Sequence, residues 1–249
     1  MITTAIALLI TIQAPQQDST NPTKLSASQI MSKVFSRYAS AQTISGTVKM
    51  SQTARDVTVH INTELQYERP GKIYIHQARD GSHPQQWLLT SDGREFSYDR
   101  PEGAFGRDRF VEWVSQNGVD QKIQDLYMAA EKSLGEQNAV LDIAVSQPNR
   151  LKLLLKQWAT LSYDGRVTVN GDQVHKITGQ YRENVDLPPA GTYEIDVSEN
   201  YDLVRYITDE RRVFSVPKQG AVELNLHTEW DSNLQVGAKV QPNLFRVVK

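Results

Sequence analysis

The sequence predicts an α+β protein: one strongly curved antiparallel sheet wrapped around a few helices, with a helical insertion between two strand-rich halves. Three observations carry this. In the first half, Val57, Val59, Ile61, Thr63, Leu65 and Tyr67 alternate with Asp56, Thr58, His60, Asn62, Glu64 and Gln66, a period of two that makes one sheet face apolar and the other wet. In the second half, Val222, Leu224, Leu226, Thr228 and Trp230 alternate in the same way with Glu223, Asn225, His227 and Glu229. Between them, from Arg107 to Trp158, the apolar spacing becomes helical.

The elements follow in order. Residues 1–24 read as a tail: Thr4 to Ile12 is a short apolar run followed by Gln13-Ala14-Pro15 and a polar stretch. It is too short for a membrane span and fits the central part of a secretory signal with Ala14 near the cleavage point, or a plain disordered hydrophobic tail. Ser26-Ala27-Ser28-Gln29 has the form of a capping box, and Ile30, Val34, Tyr38 and Ala41 follow at helical spacing. Strands are expected over 44–50, 57–67, 73–76, 87–90 and 95–98, with Asp80-Gly81 and Asp92-Gly93 supplying hairpin turns. Phe110, Trp113 and Val114 share a helical face, Val119 to Leu134 forms a second stripe, and Leu151, Leu154, Leu155 and Trp158 form a third. Strands return after Thr160, punctuated by Asp164-Gly165 and Asn170-Gly171, with Tyr193, Ile195 and Val197 alternating against Glu194 and Asp196. About ten strands with short connections suit one antiparallel sheet better than two domains, so residues 25–249 are expected to form a single unit.

Composition narrows the function. The chain of 249 residues has a formal net charge of -2 and no Lys/Arg run, so it offers no field for collecting phosphates and nucleic acid is not an expected partner. Cysteine is absent, which removes disulfides, thiol nucleophiles, thiolate metal sites and lipid attachment to an N-terminal cysteine. No Gly-x-Ser-x-Gly elbow and no Gly-Lys-Ser/Thr phosphate loop occurs. The histidines His60, His76, His83, His175 and His227 show no paired spacing of metal ligands. Acidic pairs such as Asp209-Glu210, or Glu183 with Asp186, carry no sign of burial, and Asp196, Glu223 and Glu229 fall on wet strand faces where solvated charge is the default. The expectation is a protein without catalysis, cofactor or metal.

Two segments resemble the LolA/LolB-like lipoprotein carrier superfamily. Tyr67-Glu68-Arg69-Pro70-Gly71-Lys72-Ile73 is similar to the family's strand ending in Arg-Pro, and Leu89 to Asp99 is similar to its Ser-Asp-Gly hairpin before an aromatic strand. Tyr163 to Gly171 with His175, and Trp230 leading to Phe245, resemble a predicted-periplasmic branch of the same superfamily. The helical insertion is longer than in the short carriers, and Gln241-Pro242-Asn243-Leu244-Phe245 departs from the family's order of Phe before Pro.

The resemblance implies an unclosed half β-barrel in the periplasm whose apolar face, closed by a helical lid, carries lipid or lipoprotein acyl chains. It assigns Arg69 to the arginine that holds the lid through backbone hydrogen bonds; read from the residues alone, Arg69-Pro70 is equally a strand end with a solvated charge. The candidate cavity lining is Val57, Val59, Ile61, Leu65, Tyr67, Trp87, Leu89, Phe96, Leu224, Leu226 and Trp230, against the plainer reading of core packing. The alternative function is an envelope sensor or interaction module of the same fold, contacting a membrane-bound protein partner. A soluble monomer is expected in either case.

Overall fold

Local chemistry starts the chain as expected. In the computed structural model, which describes residues 25–69, 71–81, 84–99, 109–113, 138–145, 157–182, 190–216 and 220–247, α1 spans Ala27–Ser40. The Gln29 amide donates to Ser26 Oγ at 3.2 Å, and the Ser26 amide donates to Gln29 Oε1 at 2.8 Å. This reciprocal pair satisfies two of the orphan donors at the helix start. Ile30, Met31, Val34 and Tyr38 form the buried stripe, continued by Ala41 at the cap.

Six strands follow, β1 (Thr43–Ala54), β2 (Val57–Glu68), β3 (Lys72–Arg79), β4 (Gln85–Asp92), β5 (Glu95–Asp99) and β6 (Arg109–Trp113). A short helix α2 (Ala139–Ala144), N-capped by Asn138, precedes β7 (Ser162–Val169), β8 (Asp172–Tyr181), β9 (Gly191–Ser198), β10 (Leu203–Val216) and β11 (Gly220–Val236), and a 3-10 turn (Pro242–Phe245) ends the described chain. The strands form one antiparallel sheet in the order β6-β5-β4-β3-β2-β1-β11-β10-β9-β8-β7. Two meanders are joined by β1 and β11, so β6 and β7 are its open edges.

The sheet curls. One core cluster runs from Phe96 on β5 to Ile177 on β8 and includes both helices. In a flat sheet those strands would stand about 38 Å apart, wider than the roughly 20–24 Å that two helices cover side by side. Open sheets of more than about ten strands relieve this by curling, and the described sheet is therefore an unclosed half-barrel around α1 and α2.

Several expectations need correction. The described residues hold eleven strands, in line with the ten or so expected, but Arg109–Trp113 pairs with β5 and is not a helix. Phe110, Val111 and Trp113 fit either period, and the unpaired edge of β5 decides between them. Val114, the stripe 119–134 and Leu151 to Leu155 lie outside the described residues, as do residues 1–24. Trp158 sits in an isolated bridge to Tyr181. Asp164-Gly165 is not a turn: the register shifts between Tyr163 and Gly165, whose φ is +106°, a bulge within β7. The true turn is Asn170-Gly171, with φ of +52° and +92°, the left-handed pair that a tight hairpin demands. Gln66 is buried although it faces the convex side, because the C-terminal segment crosses there and the Gln241 amide donates to Gln66 Oε1 at 2.6 Å. Asp196 also faces the convex side and is fully buried, since Arg205 Nε donates to its Oδ2 at 2.8 Å and Glu194 and Glu229 ring the same guanidinium.

At the far end, His175 is buried, stacks on Tyr201 with ring planes 3° apart, and shares a 3.0 Å hydrogen bond through Nδ1 with the Tyr163 hydroxyl. Burial, with Arg166 adding to it, lowers its pKa below the ordinary 6.5. The unfolded chain therefore takes up this proton first. The contribution to stability is complete above about pH 6.5 and is lost as pH falls toward the lower folded value. Urea unfolding is expected to show lower stability at pH 5.5 than at pH 7.5, with the difference reduced in His175→Gln; an unchanged difference in the variant would refute this role for His175.

Candidate functional site

The concave face is best read as rows across the strands, from the α1 end to the open rim. Tyr67, Ile44 and Val236 lie opposite one another, then Leu65, Gly46 and Leu234, with Ile75 and Leu89 extending the second row. The next holds Thr63, Val48 and Ser232 with Gln77 and Trp87. Ile61, Met50, Trp230, Tyr206 and Ile195 follow, then Val59, Gln52, Thr228, Thr208 and Tyr193, and last Val57, Ala54, Leu226, Glu210 and Gly191. The face is apolar beneath α1 and acquires polar groups toward the rim.

The predicted lining residues are distributed along this gradient. Ile61, Leu65, Tyr67, Trp87, Leu89, Phe96 and Trp230 belong to one buried cluster, and Val59 is half-buried against it. Leu226 is buried near the rim, Leu224 is half-buried beyond it, and Val57 at the hairpin tip is 64% exposed. An apolar track thus continues on β2 and β11 past the part of the face that the core fills.

Arg69 is not a solvated strand end. Its Nε donates to the Ala41 carbonyl at 2.7 Å and its Nη2 to the Tyr38 carbonyl at 3.4 Å, so it satisfies carbonyls that the last turn of a helix leaves open. On the other side of the same turn, the Leu203 amide donates to the Tyr38 hydroxyl at 3.1 Å, and Arg37 Nη2 donates to Asp202 Oδ2 at 2.9 Å. Burial raises the Tyr38 phenol to about 12. The C-terminal end of α1 is therefore held by polar contacts to both halves of the sheet.

Phe35, Trp158, Tyr193 and Tyr206, which the sequence did not place at the site, build the rest together with the expected lining residue Trp230. Phe35, Trp158, Tyr193, Tyr206 and Trp230 form a ladder of rings with successive centroids 6.0, 5.5, 6.3 and 5.5 Å apart. Trp158 Nε1 donates to the Tyr206 hydroxyl at 3.3 Å, and burial pushes that phenol far up. Next to the ladder a cavity of about 60 Å³ is lined by Gln52, Tyr181, Tyr206, Thr208, Glu210, Arg212, Thr228 and Trp230 on the sheet, and by Ala139, Asp142, Gln157 and Trp158. Arg212 Nε donates to Glu210 Oε2 at 2.8 Å, and Gln52 Nε2 to Thr228 Oγ1 at 3.2 Å. Trp230 Nε1 and Thr208 Oγ1, in residues 6% and 3% exposed, have no hydrogen-bond partner among the described residues. Leaving a buried donor unpaired costs about 1–3 kcal/mol. The period of two through Tyr206 and Thr208 was the available signal, and the charges Asp209-Glu210-Arg211-Arg212 obscured it.

No model of a known protein family matches the chain, and no curated protein matches it. Among solved structures, the lipoprotein LppX of Mycobacterium tuberculosis is similar at a TM-score of 0.43 and 11% identity, over 85% of this chain and 96% of that one. The MucA/MucB complex of Pseudomonas aeruginosa gives 0.45 and 11%, over 89% of this chain but 61% of that one. A LolA superfamily protein from Nitrosomonas europaea gives 0.34 and 11%, over 90% and 98%. These scores and identities are low, and function has to be read from the site itself.

Replacing Arg69 by Met is expected to cost about 1.5–3 kcal/mol, the range for hydrogen bonds that involve a charged group, with Arg69→Lys recovering part because an ammonium lacks the fork. Urea unfolding measures both; a Met variant as stable as the parent would show that Arg69 does not hold α1.

Proposed function

We propose that this protein is a non-catalytic binder of lipid or lipoprotein acyl chains, which enter the half-barrel along its concave face beneath α1. The observation that supports it is the apolar track from Val57 and Leu224 at the rim, through Val59 and Leu226, to Ile61 and Trp230 in the core. Each methylene moved from water onto this track is worth about 0.8 kcal/mol. The cavity of about 60 Å³ that described residues line on the concave face is well below the several hundred Å³ of a preformed small-molecule site; in this reading a chain enters as α1 swings away. The polar fastening by Arg69, Arg37 and Tyr38 suits that movement, because water can replace it. The setting we infer is the bacterial envelope.

The same small volume favours a second reading. A half-barrel filled by its own helices presents the rim to a protein partner instead.

Native mass spectrometry with organic extraction, on protein purified from a bacterial envelope fraction, separates the two. The carrier reading expects a co-purifying acyl lipid or lipoprotein that is lost in Leu224→Asp and Leu226→Asp. A clean mass that takes up no added lipid would overturn it in favour of the partner reading.

A further inference from the structure

The turn between β9 and β10 has a strained backbone at the point where it meets α1. Tyr201 has φ of +64°, a left-handed conformation that a bulky residue keeps only where its surroundings hold it. Within the turn, the Tyr201 amide donates to the Ser198 carbonyl at 2.9 Å and the Asp202 amide to Ser198 Oγ at 3.1 Å. Around the side chain, the ring stacks on His175, and the hydroxyl accepts from Lys33 Nζ of α1 at 2.8 Å. The next two residues are tied to α1 as well, Asp202 through Arg37 and Leu203 through the Tyr38 hydroxyl. His175 thus supports the turn that fastens α1 on its β10 side.

We propose that His175 is a pH-sensitive latch for this turn, and that its protonation releases the β10 side of α1. The groups that face the imidazole set the direction. Tyr163 and Arg166 approach from β7, Glu199 and Tyr201 from the β9–β10 turn, and Lys33 from α1. Arg166 and Lys33 oppose a further cation, while Glu199 favours one but already takes Arg166 Nη1 at 3.1 Å. The Tyr201 ring attracts cations, yet Lys33 Nζ already lies 4.6 Å from its centroid. His175 is also only 6% exposed, so an imidazolium there loses most of its hydration. It is better accommodated once the turn has moved and water reaches the ring. Proton uptake and opening are thereby linked, and acid favours the open form. Arg69 stays charged throughout, keeps the Ala41 and Tyr38 carbonyls, and serves as the pivot. The inference concerns α1 itself and stands whether an acyl chain or a protein partner uses the opening.

Hydrogen exchange of the full chain at pH 7.5 and pH 5.5, expressed as protection factors, tests this. A histidine with the ordinary pKa of 6.5 in the open form limits the effect at pH 5.5 to about tenfold. The α1 amides are expected to stay less protected than those of β1, β2 and β11 at both pH values, and to lose about three- to tenfold on acidification. In His175→Gln that loss should shrink below about twofold. Tyr201→Gly, whose backbone is at ease with positive φ, should lower α1 protection at pH 7.5 and also abolish its pH dependence. The proposal is overturned by α1 protection that does not change with pH in the parent, or by a loss as large in either variant as in the parent. Exchange of α1 together with the strands at one common protection would overturn it too, because no separate opening would then exist.

Discussion

Among the described residues an antiparallel sheet of eleven strands does not close on itself, so its concave face must be covered by something other than that sheet. Here the cover is helical, and the way α1 is attached sets what the protein can do. Its apolar stripe packs on the sheet, while its C-terminal end is tied to β2 and its turn by Arg69 and to β10 by Tyr38 and Asp202. The first contact is strong and non-directional; the second group is directional and exchangeable with water. A cover fastened in this way can leave without breaking any ladder of the sheet.

The rows of the concave face then acquire a physical meaning. Beneath α1 they are apolar and filled. Farther out, Thr63, Gln77, Gln52, Thr228 and Thr208 interrupt the apolar surface, and most are satisfied within the face, as in Gln77 Nε2 donating to Thr63 Oγ1 at 3.2 Å and Asn138 Nδ2 to the same oxygen at 3.4 Å. Among the described residues, Gln77 Oε1, Thr208 Oγ1, Trp230 Nε1 and Ser232 Oγ are the exceptions on this face.

The sequence carried the elements whose patterns are local. The Ser26 to Gln29 box, the stripe through Tyr38, and the alternations on β2 and β11 correspond to observed helix and strands, because each is fixed by neighbours in the chain. What stayed hidden depends on partners far away. Asp196 looked solvated because Arg205 covers it from the next strand. Gln66 looked wet because the covering segment lies 175 residues later. Arg69 in sequence was open between a strand end and a helix fastener, and only the position of Ala41 resolves its contacts. The ladder from Phe35 to Trp230 joins α1, the Trp158 bridge and three strands, and no spacing within the chain could have assembled it.

Native-state hydrogen exchange addresses the removable cover most directly, because amides report the free energy of the opening that exposes them. The account predicts that the α1 amides exchange through an opening of lower free energy than the amides of β1, β2 and β11. It also predicts that Arg69→Met lowers the α1 value while leaving the central strands in place. Exchange of α1 only together with those strands, at one common free energy, would contradict it and make α1 a permanent part of the core.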